Sequence, residues 1–174
     1  MLATVTQTPP PFWLYLSPTI SACVVIATAG FVYWYTGRRT KRDRIWGLYQ
    51  EFTGVEMLTA RCRGENNLDS MLDGDDLQKM YNSDFARYLP IAQVVSFFVA
   101  LHHLVQGRRI DERELASFFG EYIVWWHYRL VIGDRIPRTW VGSKQLSELF
   151  VIVDKHKREE LGPNYERWLS DTRY

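Results

Sequence analysis

Histidine and cysteine are the residue types here with the widest chemistry, because they bind transition metals and act in catalysis. The chain of 174 residues has only His102, His103, His127, His156, Cys23 and Cys62. Neighbouring positions on a helix point about 100° apart, so His102 and His103 cannot both bind one ion. Two cysteines alone cannot form a zinc site, neither H-x-x-x-H nor C-x-x-C occurs, and we expect both thiols to be reduced. The sequence therefore predicts no metal site.

A second candidate is the acidic stretch 64–76, which carries GENN and DGDD and resembles a calcium loop. With Asp69 in the first position of an EF-hand, the third would be Met71 and the twelfth Met80. These positions need an oxygen ligand and a glutamate. We expect a loop instead, in which Asp73 or Asp75 caps the following helix.

Glu121 is the acid best placed for acid–base chemistry, because it is the only acid between Glu114 and Asp134. A buried contact with His103 or Arg129 would make it a candidate base, but it lies on the polar side of its helix. No phosphate loop, dinucleotide fingerprint or nucleophile elbow is present. The sequence therefore predicts no enzyme and no cofactor.

A charge-free run, 12–35, precedes the region that carries all of these candidate residues apart from Cys23. It reads FWLYLSPTISACVVIATAGFVYWY. About 20 apolar residues cross the hydrocarbon core as a helix, so 12–36 is predicted to be a transmembrane helix. The aromatic residues at its two ends are typical of the membrane–water interfaces. They are Trp13, Tyr15, Tyr33, Trp34 and Tyr35.

A basic juxtamembrane segment, 37–44, follows this helix and sets its orientation. Its cations are Arg38, Arg39, Lys41, Arg42 and Arg44. The positive-inside rule then places 1–11 outside and 45–174 in the cytoplasm, with the protein in the bacterial inner (cytoplasmic) membrane. Ala27–Ala29 has the form of a signal peptidase site, but the basic cluster follows the run, which favours an uncleaved anchor.

The predicted transmembrane helix contains no His, Asp, Glu, Lys or Arg, so it offers no proton relay, ion site or side-chain ligand for haem or chlorophyll. Four small residues recur on one face: Thr19, Cys23, Ala27 and Gly30. Such a stripe allows close packing between helices in lipid, so we expect this face to contact a partner helix.

The cytoplasmic region begins with one apolar stripe at helical spacing, in a helix that Gly47 and Gly54 weaken. The stripe is Ile45, Leu48, Phe52, Val55, Thr59 and Cys62. It is formally an a/d pattern, which a dimeric coiled-coil stalk would need. A helix packed on its own bundle is the favoured interpretation.

Local signals give the next helix boundaries. Pro90 opens a helix that Gly107 ends, and its uncharged part, 91–105, is too short and polar for a second transmembrane helix. Asp111 with Glu114 resembles a capping box at the start of the following helix.

The last part of the chain is punctuated by glycine and proline. Gly133–Gly142 is predicted to be a loop, and Gly162 ends the next helix. The final amphipathic element docks through Tyr165, Trp168 and Leu169. The whole pattern predicts an all-α fold, with one N-terminal transmembrane helix followed by a cytoplasmic bundle of four or five helices.

The chain has seven Trp and ten Tyr, more than a bundle of this size needs in its core. Trp125 is adjacent to Trp126, so the two cannot both face one core line, and Trp140 lies in the predicted loop. Large aromatic side chains anchor interfaces, which makes Trp125, Trp140 and Trp168 candidate docking residues. The alternative, that they pack loops onto the bundle, remains open.

The stretch Val94–Trp126 resembles the central block of a family of uncharacterised bacterial single-span membrane proteins, described as a domain of unknown function. The shared elements are the Gly107–Arg109 turn, Ile110–Glu112 and Phe118–Ile123. Where the family often has Glu after the first Phe pair, this chain has Val99. The resemblance implies an all-α fold in the bacterial inner membrane and carries no site residues.

Together these features predict a non-catalytic, single-pass accessory or structural subunit of a larger integral-membrane complex, with respiratory and photosynthetic assemblies as plausible hosts. Its partners would be other integral membrane subunits and the lipid bilayer. The net charge of +1 gives no support for nucleic-acid binding. The alternative is a membrane-tethered signalling or adaptor protein, a homodimer through the juxtamembrane helix. A third class, an anchored enzyme, would depend on His102, His103 and Glu121.

Overall fold

The structure, a computed structural model, describes residues 32, 37, 39–71, 75–137 and 139–173. The chain divides into two compact units, Met1–Thr40 and Lys41–Tyr174. The predicted transmembrane helix, apart from Val32, lies outside the described residues, as does Arg38. The interfacial aromatics and the small-residue face also lie outside the described residues, so both stay predictions. The small-residue face consists of Thr19, Cys23, Ala27 and Gly30.

All regular structure within the described residues is helical, which confirms the all-α prediction. The α-helices are α1 (41–53), α2 (Val55–Asp69), α3 (Leu77–Ser83), α4 (Phe85–Gln106), α5 (Glu112–His127), α6 (Val141–Leu161) and α7 (Tyr165–Arg173). A π-helical turn, Tyr128–Ile132, extends α5, and a 3₁₀ turn, Gly162–Asn164, separates α6 from α7. The described part of the chain thus has more helices than the four or five predicted, because Gly54 divides the first one and α3 and α7 are separate short elements.

The predicted apolar stripe is not continuous. Ile45 and Phe52 are fully buried, whereas Val55 is 81% exposed and Cys62 is also at the surface. The cause is Gly54, whose ψ of 158° takes the backbone out of the helix, so that α2 restarts with a different inner face. That face consists of Ala60, Gly64 and Leu68. A stalk that uses the whole stripe would need Ile45 and Phe52 to leave their own bundle.

Helix α4 begins earlier than predicted. Asp84 caps it by accepting a hydrogen bond from the backbone N–H of Arg87 at 3.2 Å, so Pro90 lies inside the helix rather than at its start. Proline has no N–H to offer the carbonyl of Ala86 one turn earlier, so α4 lacks one intrahelical hydrogen bond in its second turn.

The prediction that 91–105 is too short and polar for a second transmembrane helix concerns only part of α4. The whole helix, with 22 residues, is long and apolar enough to cross a membrane by length and composition. The same composition suits a core helix, since Ile91, Val94, Phe98 and Leu101 are each at most 1% exposed. In the described fold α4 packs between α2 and α6.

Glycine allows two close approaches around α4. A Cβ on Gly64 of α2 would lie 3.1 Å from Cη2 of Trp126. A Cβ on Gly142 of α6 would lie closer than 3.0 Å to Val95. Both helices therefore approach their neighbours more closely than any larger residue at these positions would allow.

Of the two predictions about N-terminal caps, the one for α5 is confirmed and the one for α3 is wrong. Asp111 caps α5 as predicted, accepting hydrogen bonds from the backbone N–H groups of Arg113 and Glu114 at 2.9 and 3.3 Å. Helix α3 is capped by Asp76, not by Asp73 or Asp75, and its carboxylate accepts from the N–H of Lys79 at 2.7 Å.

Gly107 and Gly162 end their helices as predicted, but the geometry of the first turn and the length of the loop before α6 differ from the prediction. Gly107 follows α4 with φ of −73°, and the left-handed residue of that turn is Arg108, with φ of 53°. Gly162 ends α6 as predicted, with φ of 50°. The loop before α6 is shorter than Gly133–Gly142, because α6 already begins at Val141.

Arg135, in the loop after the π-helical turn, fixes α2 and α3. Its Nη1 donates to the carbonyl oxygen of Leu68, near the C-terminus of α2, at 2.6 Å. Its own carbonyl oxygen accepts from the backbone N–H of Leu77, the first residue of α3, at 2.8 Å. A cation at a helix C-terminus also complements the helix dipole.

Candidate interaction groove

A groove of about 560 Å³ opens between α2, α5 and α7. Four of its nine lining residues are aromatic: Tyr122, Trp125, Trp126 and Trp168. This volume lies within the range typical of ligand sites in proteins. We call it the α2/α5/α7 groove.

Helix α5 supplies three of the four rings. Tyr122, Trp125 and Trp126 are spaced i, i+3 and i+4, so they lie on neighbouring lines of one helix. Trp126 is 1% exposed and packs against Gly64, whereas Trp125 is half-buried at the surface. The centroids of the two indole rings are 5.1 Å apart.

Helix α7 supplies the fourth ring, Trp168, and is held on α6 by a polar contact. The buried Tyr165 hydroxyl donates to the carboxylate of Asp154, which also accepts from Nε of Arg158 at 2.9 Å. Burial raises the pKa of Asp154, but the hydrogen bonds from Arg158 and Tyr165 outweigh it and bring the pKa below its ordinary value. Burial and the hydrogen bond to the carboxylate raise the pKa of Tyr165. The ionised carboxylate and the neutral phenol are thus the forms that keep α7 in place.

The charges that line the groove are three carboxylates and one guanidinium. They belong to Glu65, Glu121, Asp171 and Arg61, which gives a formal net charge of −2. Within the described part of the chain, no cation lies within 4.0 Å of the carboxylates of Glu65 and Glu121. Asp171 is 4.0 Å from Nε of Arg167. Glu65 and Glu121 therefore form no ion pair within 4.0 Å, although Arg129 is within electrostatic range of Glu65, and Lys157 lines a neighbouring hollow together with Glu121.

Three of the four rings already accept cations from the chain itself. The guanidinium of Arg61 lies 4.3 Å from the ring centroid of Tyr122. That of Arg129 lies 5.2 Å from Trp125. The Nζ of Lys157 lies 5.8 Å from Trp168. These distances are typical of cation–π contacts.

Two of the three candidate docking aromatics come together here. Trp125 and Trp168 both line the groove, whereas Trp140 lies beside Tyr88, with 6.3 Å between ring centroids. All three are half-buried, and their docking role stays a prediction. Sequence reasoning missed Trp46, which is 50% exposed because it lies one position away from the buried Ile45.

The residues of the predicted positive cluster that the structure describes lie at or near the surface. Arg39, Arg42 and Arg44 are exposed and Lys41 is half-buried. Their role in orientation stays a prediction.

The three residues considered for catalysis are not brought together. His102 is buried, with Nε2 2.6 Å from Oε2 of Glu148 on α6, whereas the adjacent His103 is exposed. Glu121 is exposed at the groove. The sequence argument that His102 and His103 point in different directions is confirmed.

The other two histidines have separate surroundings. His127 is buried and stacked on Phe150, with centroids 4.2 Å apart and an interplanar angle of 8°. Burial lowers the pKa of His127 to about 4. His156 lies 3.3 Å from the carboxylate of Glu112. Among the described residues, no group of three or more His, Cys, Asp or Glu side chains could hold a metal ion.

No protein-family model, curated protein or solved structure matches this chain. The family resemblance of Val94–Trp126, which forms the C-terminal half of α4, the turn and nearly all of α5, therefore stays a prediction.

Sequence reasoning did not find the groove itself. Trp125 and Trp168 were singled out separately, and a further signal was the spacing of Arg61 and Glu65, four residues apart and off the predicted apolar face of their helix. As long as the packing of α2 beside α5 and α7 is unknown, an Arg and a Glu at this spacing are typical of an ordinary solvent-exposed helix face.

Proposed function

We propose that this protein is a non-catalytic, single-pass accessory subunit of a larger integral-membrane complex. The charge-free run 12–35 anchors it in the bacterial inner membrane with the N-terminus outside, and the helical unit binds a partner on the cytoplasmic face. The charge distribution of the sequence supports the membrane anchor and its orientation. The described helical fold supports the role of the helical unit as the part that binds a partner.

The observation that carries the proposal is the α2/α5/α7 groove with its four aromatic walls. Large aromatic side chains that are partly exposed around a concave surface are typical of protein interfaces. The groove's one threonine, Thr172, already donates its hydroxyl to the backbone carbonyl of Trp168 at 2.8 Å. Its charged groups are three carboxylates and a guanidinium, which suit recognition of a charged partner.

A second apolar helix is compatible with a single anchor. Helix α4 is long and apolar enough to cross a membrane, but it packs on α2 and α6. Its His102 also contacts the carboxylate of Glu148 on α6. We therefore assign α4 to the bundle and the run 12–35 to the membrane.

The test is extraction of the full-length protein from native membranes in mild detergent, followed by size separation and mass spectrometry. We expect the wild type to travel in a large complex and Trp125→Ala to be released from it while remaining in the membrane. Trp46→Ala is the matched control, because it removes an exposed tryptophan that does not line the groove.

Two outcomes would contradict the proposal. Migration of the wild type as a lone monomer or homodimer would exclude the accessory subunit, and a homodimer would favour the tethered adaptor. Release by Trp46→Ala but not by Trp125→Ala would move the partner surface from the groove to α1. The thermal midpoint of each variant is measured alongside, so that unfolding is not read as release.

A further inference from the structure

We infer that the α2/α5/α7 groove binds a basic segment of the partner protein, with a lysine or arginine side chain along Trp125 and Trp168 and its charged head at the groove's carboxylates. This inference rests on the proposed function, since it names the chemistry of the partner that the groove would hold.

The first argument is charge. The chain as a whole is nearly neutral at +1, yet the groove has a formal charge of −2. Its carboxylates come from three helices: Glu65 from α2, Glu121 from α5 and Asp171 from α7. Like charges that converge from separate elements repel each other, and a bound cation relieves that repulsion.

The second argument is the chemistry of the walls. Indole and phenol rings attract cations through the negative face of the ring. The chain uses this property three times around the groove, with Arg61 on Tyr122, Arg129 on Trp125 and Lys157 on Trp168. A cation from a partner would meet the same kind of surface.

The third argument is the arrangement of apolar and charged groups. Trp126 is buried behind the groove, whereas Glu121 and Asp171 are exposed at its edge. Lysine and arginine have a matching build, with an apolar stem and a charged head. The stem would pack against the rings while the head reached the carboxylates.

A chain segment suits the site better than a single small cation. A second hollow of about 180 Å³ adjoins the groove, and Glu121 and Tyr122 line both. Two hollows that share a wall provide places for successive side chains of an extended segment. An acidic partner is disfavoured, because it would meet the three carboxylates of the groove. The nearby cations are already engaged: Arg61 is stacked between Phe52 and Tyr122, Arg129 pairs with Asp69, and Lys157, which lines the second hollow, pairs with Glu160.

The test measures binding of three labelled peptides to the full-length protein in detergent micelles by fluorescence anisotropy. One peptide carries arginines separated by glycines, the second carries citrulline at the same positions, and the third carries glutamate. Citrulline keeps the shape of arginine without its charge. We expect the arginine peptide to bind at least about tenfold more tightly than the citrulline peptide, with an affinity that falls as salt is added.

The carboxylates are tested with the double variant Glu65→Gln and Glu121→Gln. It should lose about tenfold or more in affinity for the arginine peptide. The control is Glu51→Gln with Glu56→Gln, which changes the net charge equally at two exposed glutamates that do not line the groove.

Equal binding of the arginine and citrulline peptides, or tighter binding of the glutamate peptide, would overturn the inference, and neither comparison needs a variant. Equal affinity of the two double variants would also overturn it. If no peptide binds but Trp125→Ala still releases the native complex, the inference fails and the proposed function stands. If the arginine peptide binds while the chain migrates alone from membranes, the proposed function fails.

Discussion

His127 shows how burial changes the chemistry of one residue here. Its ring is stacked on Phe150, and its Nδ1 has no hydrogen-bond partner within the described structure. Burial penalises the charged imidazolium, so the pKa falls from 6.5 to about 4. His127 is therefore a neutral, ring-stacked core residue, and its titration is coupled to folding.

The pH dependence of stability follows from this pKa. Below pH 6.5 the unfolded chain takes up a proton at His127 that the folded chain does not, so stability falls as pH decreases from 6.5 to 4. The loss is about 3 kcal/mol at most over that window. We expect His127→Phe, which keeps a stacked ring, to flatten the dependence of the thermal midpoint on pH in this window.

The control is His103→Gln, which alters an exposed histidine and should leave the wild-type slope unchanged. The pKa of Asp154 in the folded chain is below its ordinary value of 3.8, so the stability that this carboxylate contributes is lost only at lower pH. Asp154 therefore contributes little to the change in stability between pH 6.5 and 4. An unchanged slope in His127→Phe would refute the role of this histidine.

At the scale of elements, the contact between α4 and α6 depends on the missing side chain of Gly142. We expect Gly142→Ala to lower the free energy of unfolding by about 1–3 kcal/mol, because the added Cβ collides with the stiff, β-branched Val95. The gain in helix propensity, about 1 kcal/mol at most, is too small to reverse the sign.

A double-mutant cycle measures whether this collision is the cause. In the background Val95→Ala, which removes the colliding methyl groups, Gly142→Ala should cost much less than in the wild type. Gly47→Ala is the control glycine substitution, because nothing lies within 4 Å of a Cβ at that position. Equal costs of Gly142→Ala in both backgrounds would show that the contact does not set the spacing of α4 and α6.

Where an element's boundary depends on local chemistry, the sequence could predict it. Asp111 with Glu114 gave the start of α5, and Gly162 the end of α6, because each signal acts within one turn. The start of α4 was predicted wrongly since two signals compete there, and the cap at Asp84 prevails over Pro90.

Features that depend on packing could not be predicted in this way. The stripe from Ile45 to Cys62 looked continuous because its spacing does not reveal the extended backbone of Gly54. The groove combines side chains from α2, α5 and α7, and the two lining residues on different helices that are nearest in sequence, Trp126 and Trp168, are 42 positions apart. No local pattern can report that Glu65 and Asp171 line the same hollow.

At the scale of the whole molecule, the proposed topology depends on which apolar segment crosses the membrane. The run 12–35 and helix α4 are both apolar, but the run is followed by five cations and one acid in 38–44, whereas Arg108 and Arg109 after α4 are followed by Asp111 and Glu112. If the run alone crosses, α2 and α7 lie on the same side of the membrane. If α4 crosses as well, they lie on opposite sides, because α2 precedes α4 and α7 follows it.

Cysteine labelling separates these arrangements, because Cys62 on α2 is exposed. In a Cys23→Ser background, a membrane-impermeant maleimide should label Cys62 only after the membranes are opened. With Cys62→Ser added, a thiol introduced by Ser170→Cys on the exposed side of α7 should behave in the same way. One introduced by Thr6→Cys should be labelled in intact spheroplasts, which checks that the reagent reaches the outer face. Labelling of Cys62 in intact cells would contradict the proposed orientation, because it would place α2 outside. Opposite results at Cys62 and Ser170→Cys would place α4 in the membrane. In that case α2 and α7 would lie on opposite sides, and no cytoplasmic bundle could form the groove.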